Sequence, residues 1–266
     1  TTVESTYLPS LFRHFDKEPK GGAVLPFCHT PGTTPGQTDA IERYELFLRH
    51  YVLGLSLAGS PYAYHTIGSA MACRADAYVK TGGMNRRAGA EDFYFLQQLA
   101  KTSGVAEVKG TIVQPSPRSS DRVPFGTGPA VSRLAAGEDD AVLFYPSETF
   151  RTLGIWLTLA AQNWHSSPDD ILKIAEKHSK NLADYLTGLD FCTIWDRLIE
   201  NNKGSENFMK AFHEWFDALK TLKLIHYLCI KESPKTSPEI ALPPLLFWAG
   251  LEPADKIGKH LAVLKS

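Results

Sequence analysis

Cysteine is scarce in this 266-residue sequence: four residues, Cys28, Cys73, Cys192 and Cys229. They are too widely spaced for a disulfide framework, and no Cys-x-x-Cys pair offers a zinc site, so they read as buried thiols kept reduced. No run of about 18 apolar residues occurs, which excludes a membrane-spanning helix from these residues. The longest apolar stretches are Leu153 to Ala161 and Ile240 to Gly250. The second is interrupted by prolines and reads as a core helix or a partner contact, with a bilayer surface as the alternative. Neither sign of charge is in excess: 28 Lys and Arg face 29 Asp and Glu, a net charge of -1. Nothing in that balance draws the chain to nucleic acid. A Gly-x-Ser-x-Gly elbow is absent, and GTGPA is neither a phosphate-binding loop nor a dinucleotide fingerprint. There is no internal repeat and no low-complexity tract.

What is present is an ordinary globular composition, 43% hydrophobic and 21% charged, with room for one large core or two smaller ones. Tyr7 to Phe15 is expected to be a helix with Leu8, Leu11, Phe12 and Phe15 on one face, stopped by Gly21-Gly22. Ala23 to His29 is a strand candidate. Asp39, with Glu42 three residues on, looks like the cap of a helix whose stripe is Ile41, Tyr44, Leu48, Tyr51 and Leu55. Gly68 to Arg74 reads as a strand, Asp76 to Lys80 as a helical turn, and Val105 to Gln114 as a strand. Pro115 to Pro129 is a loop rich in turn formers. Beyond it the pattern is mostly helical. Ser147, Ser167, Ser205 and Ser237 are expected N-caps, and Ser205 to Lys231 reads as one long helix bearing Phe208, Phe212, Phe216 and Leu219. A boundary near residue 135 divides the chain into an α/β part, 1–135, and a helical part, 136–266.

The segment from Gly82 to Ala100 carries the chemistry. A double glycine ends one element, a polar basic loop follows, and Glu91-Asp92 opens an amphipathic helix with Phe95, Leu96 and Leu99 behind it. Acids in a first helical turn commonly serve only to offset the macrodipole. A carboxylate held at that place by a packed helix is also well placed to take a proton from a hydroxyl.

Gly68-Ser69, Arg74, Gly82-Gly83-Met84-Asn85 and Glu91-Asp92-Phe93 occur in the order and spacing of the acceptor-side half of the GT-A fold. On those motifs the chain resembles family 2 glycosyltransferases over roughly its first half. The resemblance implies a partial GT-A sheet-and-helix region followed by a helical extension. It implies inverting transfer of a sugar from a nucleotide-sugar donor to a hydroxyl acceptor, helped by Mg²⁺ or Mn²⁺, in the cytoplasm, with the inner face of a membrane as the alternative. Asp92 would be the base and Glu91 would position substrate. Gly68 and Ser69 would let substrate approach the backbone, His65 lies among aromatic residues suited to a sugar ring, and Arg86, Arg87, Arg118 and Arg122 would meet diphosphate. The family's nucleotide-binding βαβ units and Asp-x-Asp motif, which precede this region, have no counterpart here. A Gln-x-x-Arg-Trp motif and a metal-binding histidine are also missing from the Pro115 to Pro129 loop. The donor half, and with it most metal ligands, is therefore expected from elsewhere, and this stretch alone is expected to be inactive. The other reading is an interaction or sugar-binding module on a degenerate GT-A fold.

Overall fold

The computed structural model describes residues 1–86, 89–117, 126–253 and 257–265. Helix predominates and the sheets are small. Two compact units emerge: Thr1–Arg49, Tyr64–Leu143 and Ala254–Ser266 form the first, His50–Ala63 and Phe144–Pro253 the second.

The first unit contains β1 (Thr2–Val3), α1 (Tyr7–Lys17), β2 (Gly22–Val24), most of α2 (Pro35–Leu57), β3 (Met71–Cys73), α3 (Ala75–Lys80), α4 (Glu91–Thr102), β4 (Val105–Glu107), β5 (Val113–Gln114) and α5 (Thr127–Ala135). A three-stranded sheet has the order β3-β2-β4, with β2 antiparallel to β3 and parallel to β4. β1 and β5 pair antiparallel in a second, two-stranded sheet. The chain from β2 onward alternates sides as an extended segment must. Ala23, Leu25 and Phe27 pack with Val108 and Val113, against Tyr7, Leu11 and Phe15 of α1. Val24 faces the other way, onto Ala77, Phe95, Leu96 and Leu99. Gly21 is required by crowding: a Cβ there would lie 2.5 Å from Ala77 Cβ and 2.8 Å from Ser103 Cβ.

Several local expectations are corrected. In α1, Leu8 and Phe12 are 60% and 75% exposed; the stripe that packs on the core is Tyr7, Leu11 and Phe15, spaced by four and partly buried. That helix stops at Lys17, ahead of Pro19, because the residue before a proline is pushed out of the helical region. The Gly21-Gly22 pair instead admits β2 to its crowded slot. The strand expected over Ala23 to His29 is hydrogen-bonded as β2 only through Val24, with an isolated bridge at Phe27. The strand expected over Val105 to Gln114 is divided into β4 and β5; Gly110, at φ 85°, lies between them. α2 begins at Pro35, not at Asp39; Pro35 supplies a pre-set φ and Thr34 Oγ1 accepts the Gln37 N–H at 3.2 Å. Of the four cysteines, all free, only Cys229 is buried.

The second unit carries the remainder of α2, then α6 (Ser147–Gln162), α7 (Pro168–His178), α8 (Lys180–Thr187), α9 (Phe191–Asn201), α10 (Ser205–Trp215), α11 (Ala218–Lys231) and α12 (Pro238–Trp248). Its core is aromatic. Trp156 meets Phe191, Phe212 and Phe216 edge-on and lies 6.2 Å from Trp195, the mutual geometry that ring quadrupoles favour. The single helix expected over Ser205 to Lys231 is two: the turn at Phe216 and Asp217 separates α10 from α11, and Asp217 caps α11 by accepting the Lys220 N–H at 3.1 Å. Ser167 caps α7 as expected. Ser147 and Ser205 are instead first helical residues, behind Pro146 and Gly204, and Ser237 occupies a cap position without a side-chain bond. α12 buries Ala241, Leu242, Leu245 and Leu246 while Ile240 and Phe247 stay exposed. Among the described residues no helix is long and apolar enough to cross a membrane. A last helix, α13 (Ile257–Val263), falls in the first unit.

Candidate functional site

α4 starts under strain. Ala90, at its N-cap, holds φ 58° and ψ 22°, a left-handed conformation that costs an L-residue roughly 1–2 kcal/mol. That turn carries the chain into the helix, so Glu91 and Asp92 occupy its first turn while Phe95, Leu96 and Leu99 anchor it to the sheet. The Asp92 carboxylate is half-buried and fixed by two backbone donors. The Phe93 N–H donates to Oδ1 at 2.7 Å, and the Gly68 N–H, 24 residues away, donates to Oδ2 at 3.1 Å. Burial pushes the carboxyl above its ordinary value; the Phe93 amide opposes that, the Glu91 charge adds to it and the Gly68 amide opposes it again. Desolvation prevails over three backbone hydrogen bonds, from Phe93, Gly68 and Asp92 itself.

Gly68 and Ser69 are exposed at this carboxylate. A Cβ on Gly68 would lie 3.5 Å from Asp92 Oδ2, an ordinary contact. Space is therefore not what requires glycine there. Tyr44, on α2, is a neighbour that periodicity placed only in a packing stripe. Burial holds its phenol above the usual value, the Thr127 hydroxyl hydrogen-bonds to it, and the Asp92 charge bears on it. Thr127 opens α5 just after Gly126, whose φ is 97°. An acid, a phenol and a hydroxyl from α4, α2 and α5 thus share one locality.

The other expected site residues are distributed differently. Arg86 is exposed. Arg87, Arg118 and Arg122 lie outside the described residues. His65 sits edge-on to the Phe27 ring at 4.9 Å, and burial, reinforced by Arg49, lowers it to about 4; it is a neutral packing histidine over the physiological range. Phe27 also carries the Arg49 guanidinium on its face, 4.7 Å from the ring centre.

Beside Phe27 lies a buried ionic cluster with no motif to announce it. Glu45, 1% exposed, accepts the His29 N–H at 2.7 Å and contacts His29 Nδ1 at 2.8 Å. Arg49 reaches it through Nε and Nη2 at 3.1 and 3.0 Å, and Lys265 Nζ at 3.2 Å. Burial would raise this carboxyl, but the His29 bonds, Arg49 and Lys265 outweigh it and hold Glu45 down at about 2. The available signal was an acid beside the apolar stripe of α2, four residues ahead of an arginine.

Among the described residues no group of three or more His, Cys, Asp or Glu side chains is disposed to hold a metal. The described residues by themselves show no such cluster for the divalent cation that the resemblance implies. In comparisons with known proteins, no family model, no curated protein and no solved structure matches this chain.

Proposed function

We propose that this chain carries the acceptor side of an inverting, nucleotide-sugar-dependent glycosyltransferase similar to family 2, with Asp92 as the general base. The observation that carries the reading is the bond from the Gly68 N–H to Asp92 Oδ2. It joins two motifs that the family resemblance had picked out separately. The carboxylate is oriented by backbone alone, beside an exposed Gly-Ser edge where a hydroxyl can approach. Its raised pKa suits the role, since a base is most effective when its pKa approaches the working pH.

In this reading the acceptor hydroxyl attacks the anomeric carbon opposite the departing nucleoside diphosphate, and Asp92 takes the hydroxyl proton. Glu91, adjacent in the first turn of α4, orients acceptor or donor sugar. Arg86, with Arg87, Arg118 and Arg122, would supply charge for the diphosphate through the bidentate guanidinium fork. The donor half and the cation are supplied from outside these residues.

The test is nucleoside diphosphate release by the full-length protein over a panel of nucleotide sugars and hydroxyl acceptors, with Asp92→Asn alongside. Turnover is expected to fall about 100-fold or more while donor affinity, measured by calorimetry, is kept. Equal turnover in the variant overturns the assignment of Asp92. Sugar binding without turnover in either protein favours the binding-module reading.

A further inference from the structure

Cys28 and Lys265 stand outside the proposed site, yet their reactive atoms are in contact: Lys265 Nζ is 3.1 Å from Cys28 Sγ. Both ends of the pair are held. The Cys28 backbone N–H donates to the Val113 carbonyl at 3.0 Å, so the thiol rides on the segment that continues from β2 past the buried Phe27. Lys265 follows α13, and the carbonyl of the preceding Leu264 accepts Arg49 Nη1 at 3.4 Å. Its ammonium also contacts Glu45 Oε1 at 3.2 Å, and Glu45 is itself fixed by His29 and Arg49. Neither residue is buried, so a small oxidant in solvent can reach the sulfur. A fixed carboxylate thus keeps an amine nitrogen at the distance from which it attacks an oxidised sulfur.

We propose that Cys28 and Lys265 are a covalent modification site, at which oxidation by a peroxide joins Sγ to Nζ as a sulfenamide crosslink. In the first step the sulfur attacks one oxygen of hydrogen peroxide. The O–O bond breaks, an S–O bond forms, and the departing hydroxide takes a proton and leaves as water; sulfur is oxidised by two electrons and peroxide reduced by two. In the second step Nζ, having shed a proton, attacks the sulfenic sulfur. The S–N bond forms, the S–O bond breaks, and hydroxide leaves as water with a second proton from nitrogen. Thiol, amine and one peroxide become sulfenamide and two waters. The bond would close a ring between positions 237 residues apart and tether α13 to the β2 segment. Thiol reductants reverse it by attack at the same sulfur.

The experiment treats the full chain with hydrogen peroxide, blocks remaining thiols, digests with trypsin without reductant, and identifies peptides by mass. The expected product is peptide 21–43 joined to peptide 260–266, two hydrogens lighter than their sum, with cleavage after Lys265 blocked and both released by dithiothreitol. In Lys265→Arg the cation remains but the nucleophilic amine is gone. Cys28 is then expected to stop at sulfenic acid and to be trapped by dimedone, with no joined peptide. The same trapping in the unsubstituted chain, with Lys265 free and no joined peptide, overturns the proposal. Joining of peptide 260–266 to a peptide bearing Cys73 or Cys192 overturns it as well.

Discussion

Replacing Glu45 by Gln keeps the side-chain volume and removes one buried charge, which makes it a direct probe of the cluster on α2. With the folded carboxyl at about 2 and the ordinary value at 4.5, the difference of some 2.5 units, at about 1.36 kcal/mol each, is worth about 3 kcal/mol of folding stability at neutral pH. Because the folded value is depressed, this contribution is complete above about pH 4.5 and is lost as pH falls toward 2. By pH 3 about 2 kcal/mol of it should be gone. The variant lacks the titrating group, so the stability gap between the two proteins, about 3 kcal/mol at pH 6, should narrow to about 1 kcal/mol at pH 3. The assay is native-state amide exchange at Leu25 and Val108, whose N–H groups bond the Ala70 and Val24 carbonyls around β2 and so report opening of the unit that contains Glu45. A gap that stays constant between pH 6 and pH 3 would refute the reasoning, because the His29 hydrogen bonds, Arg49 and Lys265 would then not be holding the carboxylate ionised.

Two further substitutions test the second unit. Gly54→Ala places a Cβ 2.6 Å from three atoms of the fully buried Phe150 ring; overpacking of this kind should cost about 1–3 kcal/mol in urea unfolding, and Phe150→Leu added to it should recover part of the loss. Asp217→Ala removes the α11 cap and should cost about 1 kcal/mol by the same measurement; no change would mean that packing alone keeps α10 and α11 apart.

The elements whose signals are local were legible in the sequence. Glu91-Asp92 ahead of Phe95, Leu96 and Leu99 specifies α4 through spacing alone, and Gly104, at φ 73°, marks its end. Ser167 before Pro168-Asp169-Asp170 identifies a cap because every group involved lies within one turn. Legibility failed where a distant neighbour decides. Leu8 and Phe12 are as apolar as Leu11 and Phe15, and only the position of the β2 segment determines which pair is covered. Phe216 and Asp217 fit a helical pattern, and the separation of α10 from α11 emerges only with the cap bond. At the candidate site the acids could be read, but the bond from the Gly68 N–H to Asp92 Oδ2 could not. The influence of the Asp92 charge on Tyr44, and the contacts of Lys265 with Glu45 and Cys28, join segments far apart in sequence, for which no short-range pattern exists.

The aromatic core has an optical consequence. All five tryptophans, at 156, 164, 195, 215 and 248, fall in the second unit, and Trp156 and Trp195 are fully buried and close together. Excitation at the red edge of indole absorbance therefore interrogates one unit and leaves the other dark. Emission should shift to longer wavelength when α6 to α12 come apart and stay silent to any event confined to β2, α4 or the Glu45 cluster. A tryptophan introduced at the exposed Phe12 position would give the first unit its own emitter, and the two halves of the chain could then be followed in one cuvette by two signals.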